Sequence, residues 1–405
     1  MGRNMQIEPY DLIVIGGGPM GLSTAWNASK RGLRTLVVEQ FGFFNNLGSS
    51  AGASRQFRLQ YAQQYMAELA LASQSFWSEL QNLTRDTLVT QCGSLWFGDP
   101  ALSSQEGGIQ AAEDMMDALG IIYEKLNATQ IEEKYFFKNL PGDYSGFFQA
   151  NGGIINIKAA ERAMYNAALN SGLVDFRAYQ TVTRITVEAD RPICVGTNQE
   201  EFIGEKLAIT AGAYSNQLTK STMGFETGID IWEMTSAYFK KKDPLAWLPT
   251  WFVFQEPQIT SLFYGFPEVD WAHPGYIRVA PDIPDYGRIL TNPNERSGKP
   301  SPESLRLTSN WVRENMEGLH PEPHFTSTCM IALSHDTNKE LLLDYAAASC
   351  PQNNRIVVYT AGWAAKFIPI LGDTICQMLD EEITSVTYGD YTIDLDNFSI
   401  DWTYT

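Results

Sequence analysis

An apolar run, Leu12-Ile13-Val14-Ile15, enters the turn Gly16-Gly17-Gly18-Pro19-Met20-Gly21, and a second run, Leu36-Val37-Val38, ends on Glu39. Between them Met20, Leu22, Ala25 and Ala28 recur at helical spacing as far as Gly32. Strand, glycine turn, helix, strand and acid in this order describe a βαβ unit built for an ADP-containing cofactor. Gly16 makes the tight turn, Gly18 lets backbone amides approach a pyrophosphate, and Gly21 lets the helix lie close to the strand. The pyrophosphate then sits on the positive end of the helix. Glu39 takes the ribose hydroxyls and repels the extra phosphate of NADP. FAD and NAD both remain open on these residues alone.

The chain has 405 residues, so two or three folding units are expected at about 150 residues each. With 44% apolar and 12% aromatic residues it can bury a large core. Its 29 basic and 47 acidic residues leave a net charge of −18, which argues against a nucleic-acid or anionic-membrane partner. An anionic substrate therefore needs a local cluster of cations. Leu12 to Ile15 is too short for a signal peptide, and no run approaches a membrane span. Cys92, Cys194, Cys329, Cys350 and Cys376 are odd in number and scattered, which suits reduced thiols and a cytoplasmic protein. His320 and His324 frame Pro321 and Pro323, which forbid the helix that would aim both at one metal, so they read as loop residues.

The texture of the chain alternates. After the first unit comes the Gly- and Ser-rich stretch Gly48 to Ser54, then a helical pattern through Tyr65, Leu69, Phe76, Trp77 and Leu80. Residues 86–150 mix short strands with a helix, and Ala159 to Ser171 reads as another helix. A βαβ pattern resumes with Thr181 to Val187 and Lys206 to Tyr214. Ile231–Phe239, Thr250–Phe254, Leu262–Phe266 and Tyr276–Ala280 are aromatic and β-branched runs, the material of a separate antiparallel sheet. A helix from Pro302 to Glu317 follows, then the buried-type strand Arg355 to Thr360 turning at Gly362 into a helix from Leu371 to Asp380. The fold class is α/β, α+β as a whole. A Rossmann-type cofactor domain (1–85, 151–215, 321–385) interleaves with an antiparallel-sheet substrate domain (86–150, 216–320), and 386–405 form a tail.

Four further segments resemble the monomeric sarcosine oxidase group of D-amino-acid-oxidase-like flavoproteins, whose members include N-methyltryptophan, pipecolate and fructosyl amino acid oxidases and the NikD branch. Gly48-Ser49-Ser50-Ala51-Gly52-Ala53-Ser54-Arg55-Gln56-Phe57-Arg58 resembles the flavin-facing segment that ends in R-x-x-R. If it is helical, the three-residue spacing puts both guanidiniums on one side. Cys329-Met330 resembles the motif whose thiol is joined to the flavin. Ala361-Gly362-Trp363-Ala364-Ala365-Lys366-Phe367 resembles the family's G-x-x-x-x-F-K-F stretch, shortened by two residues. Phe263-Tyr264-Gly265-Phe266-Pro267 leads to Tyr276-Ile277-Arg278-Val279-Ala280, with Arg278 where the sarcosine oxidases carry an oxygen-activating lysine. Ser50 and Ala51 stand where that group has two histidines.

The resemblance implies FAD, held by Gly16, Gly18, Pro19, Met20, Gly21, Glu39, Gln40, Gly48, Ser49, Arg55, Val182, Gly212, Trp363 and Lys366, and covalently linked at Cys329. It implies that Arg58 and Lys366 anchor a substrate carboxylate, that Tyr264 and Trp363 line the pocket, and that Arg278 faces oxygen. Asp282, at the place of a family histidine, is a partner for a substrate cation. The expected enzyme is a monomer that oxidises a secondary or cyclic amine of an amino or imino acid. Hydride passes from the C–H next to nitrogen to flavin N5, giving an imine, and molecular oxygen becomes hydrogen peroxide. The aromatic residues Trp232, Tyr238, Trp247, Trp251 and Phe252 suggest a pocket larger than sarcosine needs. Arg278 keeps a dehydrogenase with a non-oxygen acceptor as an alternative, and a flavin monooxygenase shares the glycine turn but lacks a second Gly-Asp motif here.

Overall fold

The computed structural model describes residues 8–104, 107–242, 248–256, 262–282 and 287–404. Among them one half of the fold is organised by an eight-stranded sheet. Its heart is parallel: Val174–Arg177, Thr35–Val38, Tyr10–Ile15, Glu201–Ile209 and Ile356–Gly362 lie side by side. Ile13, Val14, Leu36, Val37, Leu207 and Ala208 are all fully buried. Helices cover both faces of such a sheet, which is why these strands read as unbroken apolar runs. The helix Pro19–Lys30 is buried from Met20 to Ser29 and packs against the helices Ile157–Asn170 and Ile368–Asp380. Because the strands are parallel, Ile15, Val38, Ile209 and Val358 all end at one edge, where open α/β sheets bind ligands.

The strand Glu201–Ile209 changes partners along its length. Its first residues pair antiparallel with Ile193–Thr197, which pairs antiparallel with Val182–Thr186. The expected βαβ unit after Thr181 is therefore an antiparallel ribbon, because too few residues separate its strands for a crossover helix.

Among the described residues the second sheet has nine strands. Ile229–Lys241, Tyr276–Pro281, Phe263–Phe266 and Thr250–Phe254 are antiparallel neighbours in that order. Ser94–Gly98 then adds in parallel, followed by Ser145–Gln149 and Glu124–Asn127. On the other flank Leu319–Ser334 pairs with Ile229–Lys241 over nearly its whole length. This corrects the boundary at 321: residues up to Ser334 belong to the antiparallel sheet, and the chain crosses to the parallel one only at Leu341–Tyr345. His320 and His324 also lie in this strand rather than in a loop. Prolines exclude a helix, but a strand accepts them where the register shifts, and it does so around Phe239.

A small sheet, Ser54–Phe57 with Gly153–Asn156 and Val89–Gln91, lies beside them. Residues 386–404 are packed rather than trailing: a hairpin pairs Ser385–Tyr388 with Tyr391–Asp394, and Trp402–Tyr404 pairs with Phe225–Thr227. Under the second sheet Trp251 and Phe263 stack on Trp311 at 5.2 and 4.9 Å, and Trp251 is 1% exposed. Trp251 is thus core. Tyr238 is buried as well, Phe252 reaches the cavity described below, and Trp247 lies outside the described residues.

Candidate active site

The ligand edge of the parallel sheet opens into a cleft with about 2170 Å³ free of protein atoms, its mouth included. At one end the Gly16 amide donates to Val38 O at 2.8 Å, and Gly16 turns the chain at φ +103°. Gly18 caps the helix Pro19–Lys30 with no side-chain acceptor, Pro19 opens the helix, and its first turn carries no acid. The positive helix end therefore faces the cleft with no acid in its own first turn. A Cβ on Gly18 would meet nothing within 4 Å, so the approach to these amides is open. Gly21 does not line the cleft; it lies against the turn instead.

Glu39 ends the neighbouring strand and is 6% exposed. Its Oε2 accepts from Gly17 N at 2.7 Å and its Oε1 from Phe41 N at 2.8 Å. Burial raises its pKa, while the two amide bonds oppose that. Each oxygen keeps a lone pair, which is what a vicinal diol needs. Gln40, Gly48, Ser49, Val182 and Gly212 also line the cleft. Thr210, not singled out in the sequence, fixes the turn by donating to Ile15 O and Gly16 O at 3.1 Å each.

The two sheets also meet along this cleft. Arg55, Tyr264, Arg278, Cys329, Trp363 and Lys366 all line the cleft there. Arg55 donates to Ser54 O and Ala51 O at 2.7 Å and to Ser49 O. Arg278, 5% exposed, donates to Ser54 O at 3.0 Å and Ser236 Oγ at 2.9 Å, with its guanidinium 4.7 Å from the Phe266 ring. Two guanidiniums thus share one carbonyl, and burial together with Arg278 lowers the pKa of Arg55. Burial pushes Tyr264 up to about 12, so it stays a neutral hydroxyl. Lys366 is 5% exposed in the short turn Ala364–Phe367, and its ammonium contacts Trp363 O at 3.4 Å. The following helix, Ile368–Asp380, also begins without a side-chain cap, and Ile368 faces the cleft.

Arg58 is placed differently from its neighbour. Ser54–Phe57 is a strand, not a helix, and a two-residue period sends positions three apart to opposite sides. Arg58 is 1% exposed, its guanidinium over the rings of Tyr61 and Trp96 at 4.5 and 5.0 Å, and it is not among the residues lining the cleft. Asp282 is likewise buried behind the lining, where its charge helps to raise the Tyr264 pKa.

Sequence reading missed the residues that pin the loop from Asn45 to Ala53. Lys158 donates to Asn45 O at 2.8 Å, Trp271 to Ala53 O at 3.1 Å, and Arg296 to Asn46 O and to Thr328 O, the latter at 3.1 Å. No local pattern marks them, because each acts on a carbonyl far away in sequence. Among the described residues no group of three or more His, Cys, Asp or Glu gathers as for a metal.

A cleft lined by an open amide turn, by buried cations and by the start of a second uncapped helix fits FAD in charge. Comparison with known proteins agrees. A model of FAD dependent oxidoreductases, the DAO family, matches residues 11–378. A Dictyostelium discoideum protein named as a bifunctional amine oxidase is 33% identical over 98% of this chain, which spans only 38% of that relative. Monomeric sarcosine oxidase of Bacillus sp. (strain NS-129) is 24% identical, over 91% of this chain and 92% of that enzyme. Among solved structures, NikD, titled an unusual amino acid oxidase essential for nikkomycin biosynthesis, is 35% identical with a TM-score of 0.89, covering 98% of this chain and 99% of that one. The chain belongs to the DAO family of FAD-dependent oxidoreductases.

Proposed function

We propose that this protein oxidises the amine of an amino or imino acid, with a secondary or cyclic amine as the preferred substrate and oxygen as the acceptor, giving an imine and hydrogen peroxide. The observation that carries the reading is that Lys366, Arg278, Tyr264 and Trp363 line the same cleft as the glycine turn. The amine oxidase and amino acid oxidase names of the relatives support it. FAD, when bound, supplies the two-electron acceptor. Lys366, a buried cation that lines the cleft, holds the carboxylate. Arg58, one layer behind, adds positive potential.

These cations lower the pKa of a nearby substrate amine and so favour the neutral form, whose lone pair is needed for oxidation. No side-chain base is then required. Trp363, packed against Met234, Ile331 and Leu333, walls the substrate space. Cys329, on the strand beside it, is the proposed point of covalent attachment to the flavin. A cytoplasmic monomer is proposed; the five free cysteines fit a reducing compartment.

A dehydrogenase with a non-oxygen acceptor is the second reading, favoured by Arg278: its two arms are held, and a guanidinium does not release a proton as a lysine does. Peroxide release over a panel of cyclic and N-alkyl amino acids tests the proposal. Flavin bleaching under nitrogen with no peroxide in air would favour the dehydrogenase. No bleaching with any amino acid would sink both.

A further inference from the structure

Lys366 owes its position to a side chain 289 residues away in sequence. The indole Nε1 of Trp77, in the helix Gln64–Thr84, donates to the backbone carbonyl of Lys366 at 2.7 Å. Trp77 is 2% exposed, so this bond is shielded from water. The carbonyl it satisfies is hard to satisfy otherwise. Lys366 precedes Phe367, the cap of the helix Ile368–Asp380, and the helical ladder starts from the cap's own carbonyl. An i+3 donor of the 3₁₀ type would have to come from Pro369, which has no N–H. The neighbouring ring of Phe367 packs on Tyr61 at 5.8 Å, which fixes the turn from the same side.

We infer that Trp77 is a positioning residue for substrate binding: its indole N–H sets the height of the Lys366 turn and thereby aims the ammonium at the substrate carboxylate. This rests on the carboxylate role proposed for Lys366. A lysine stem alone does not fix its head, because its torsions are free; a turn held by a buried hydrogen bond removes the backbone part of that freedom. Trp77 itself is not among the residues lining the cleft, so it acts only through Lys366.

The test uses the FAD-loaded protein and butanoate, a carboxylate that carries no amine and is not turned over, titrated by the change in flavin absorbance. Trp77→Phe keeps a buried ring and removes the N–H; its Kd is expected to rise roughly tenfold. Trp77→His restores a ring N–H and is expected to recover part of the loss. Lys366→Met weakens binding by itself, and adding Trp77→Phe to it costs nothing more. An undiminished penalty of Trp77→Phe in the Lys366→Met background, or equal weakness of the Phe and His variants, overturns the inference and leaves the carboxylate reading standing. Unchanged affinity in Lys366→Met overturns the carboxylate reading, and the inference falls with it.

Discussion

A Cβ added to Gly21 would lie 1.9 Å from the carbonyl oxygen of Gly16 and 2.7 Å from Thr210 Oγ1. The nearest atom is backbone in the cofactor turn, so it cannot swing aside as a flexible side chain would. Gly21→Ala is therefore expected to push the helix Pro19–Lys30 off the first strand, at a cost of about 3 kcal/mol or more. Purified protein should have lost most of its flavin and should melt several degrees lower. Full flavin content with an unchanged melting curve would show that the turn tolerates the methyl group.

Cys329 lines the cleft on the strand Leu319–Ser334. With the proposed covalent link, acid-precipitated protein keeps its yellow colour in the pellet, which becomes fluorescent after oxidation with performic acid. Cys329→Ser should release the colour to the supernatant. Colour released from the unaltered protein would remove the link.

Arg278 ties Ser54 O, the carbonyl shared with Arg55, to Ser236 on the antiparallel sheet. With oxygen as the acceptor, its buried charge would stabilise anionic oxygen species. Arg278→Met should slow the reaction of reduced flavin with oxygen by about 100-fold, the size expected for loss of one buried electrostatic contact. Flavin reduction by the amino acid should suffer much less. Stopped-flow measurement of the two half-reactions separates them, and equal loss in both would reassign Arg278 to holding the site together.

Burial raises Tyr264 to about 12, Cys376 to about 12 and Cys92 to about 11. Each value lies above the ordinary one, so the folded state holds these protons more tightly than the unfolded chain. Their contribution is complete below the ordinary values and is lost as the pH rises through the folded ones. Urea unfolding is expected to show a steady fall in stability from about pH 9 to about pH 12. Cys376→Ala should flatten part of that fall. A flat profile in the unaltered protein would contradict the burial of these groups.

Much of the site can be traced to short stretches of sequence. The turn from Gly16 to Gly21, the acid Glu39 and the strands on either side are local, because a strand, its turn and the helix after it are set by neighbouring residues. Tyr264, Arg278, Cys329, Trp363 and Lys366 were also legible from local motifs, and they line one cleft. Arg58 was not: its motif gives the residue type, but the strand conformation of Ser54–Phe57 turns it away from Arg55. The ribbon after Thr181 was misread for a related reason, since runs of alternating apolar residues do not say whether the next strand runs with them or against them.

The sequence by itself determined that a parallel sheet with an ADP-type turn forms and that cations are available for an anionic ligand. Tertiary structure decided where those cations stand. Leu319–Ser334 pairs with Ile229–Lys241 and carries Cys329 to the cleft, and Ser54 O becomes the meeting point of Arg55 and Arg278. Trp77 reaches the Lys366 carbonyl across 289 positions. The physical reason is that a backbone carbonyl is the same acceptor at every residue, so only the packing of distant elements can choose which side chain satisfies it.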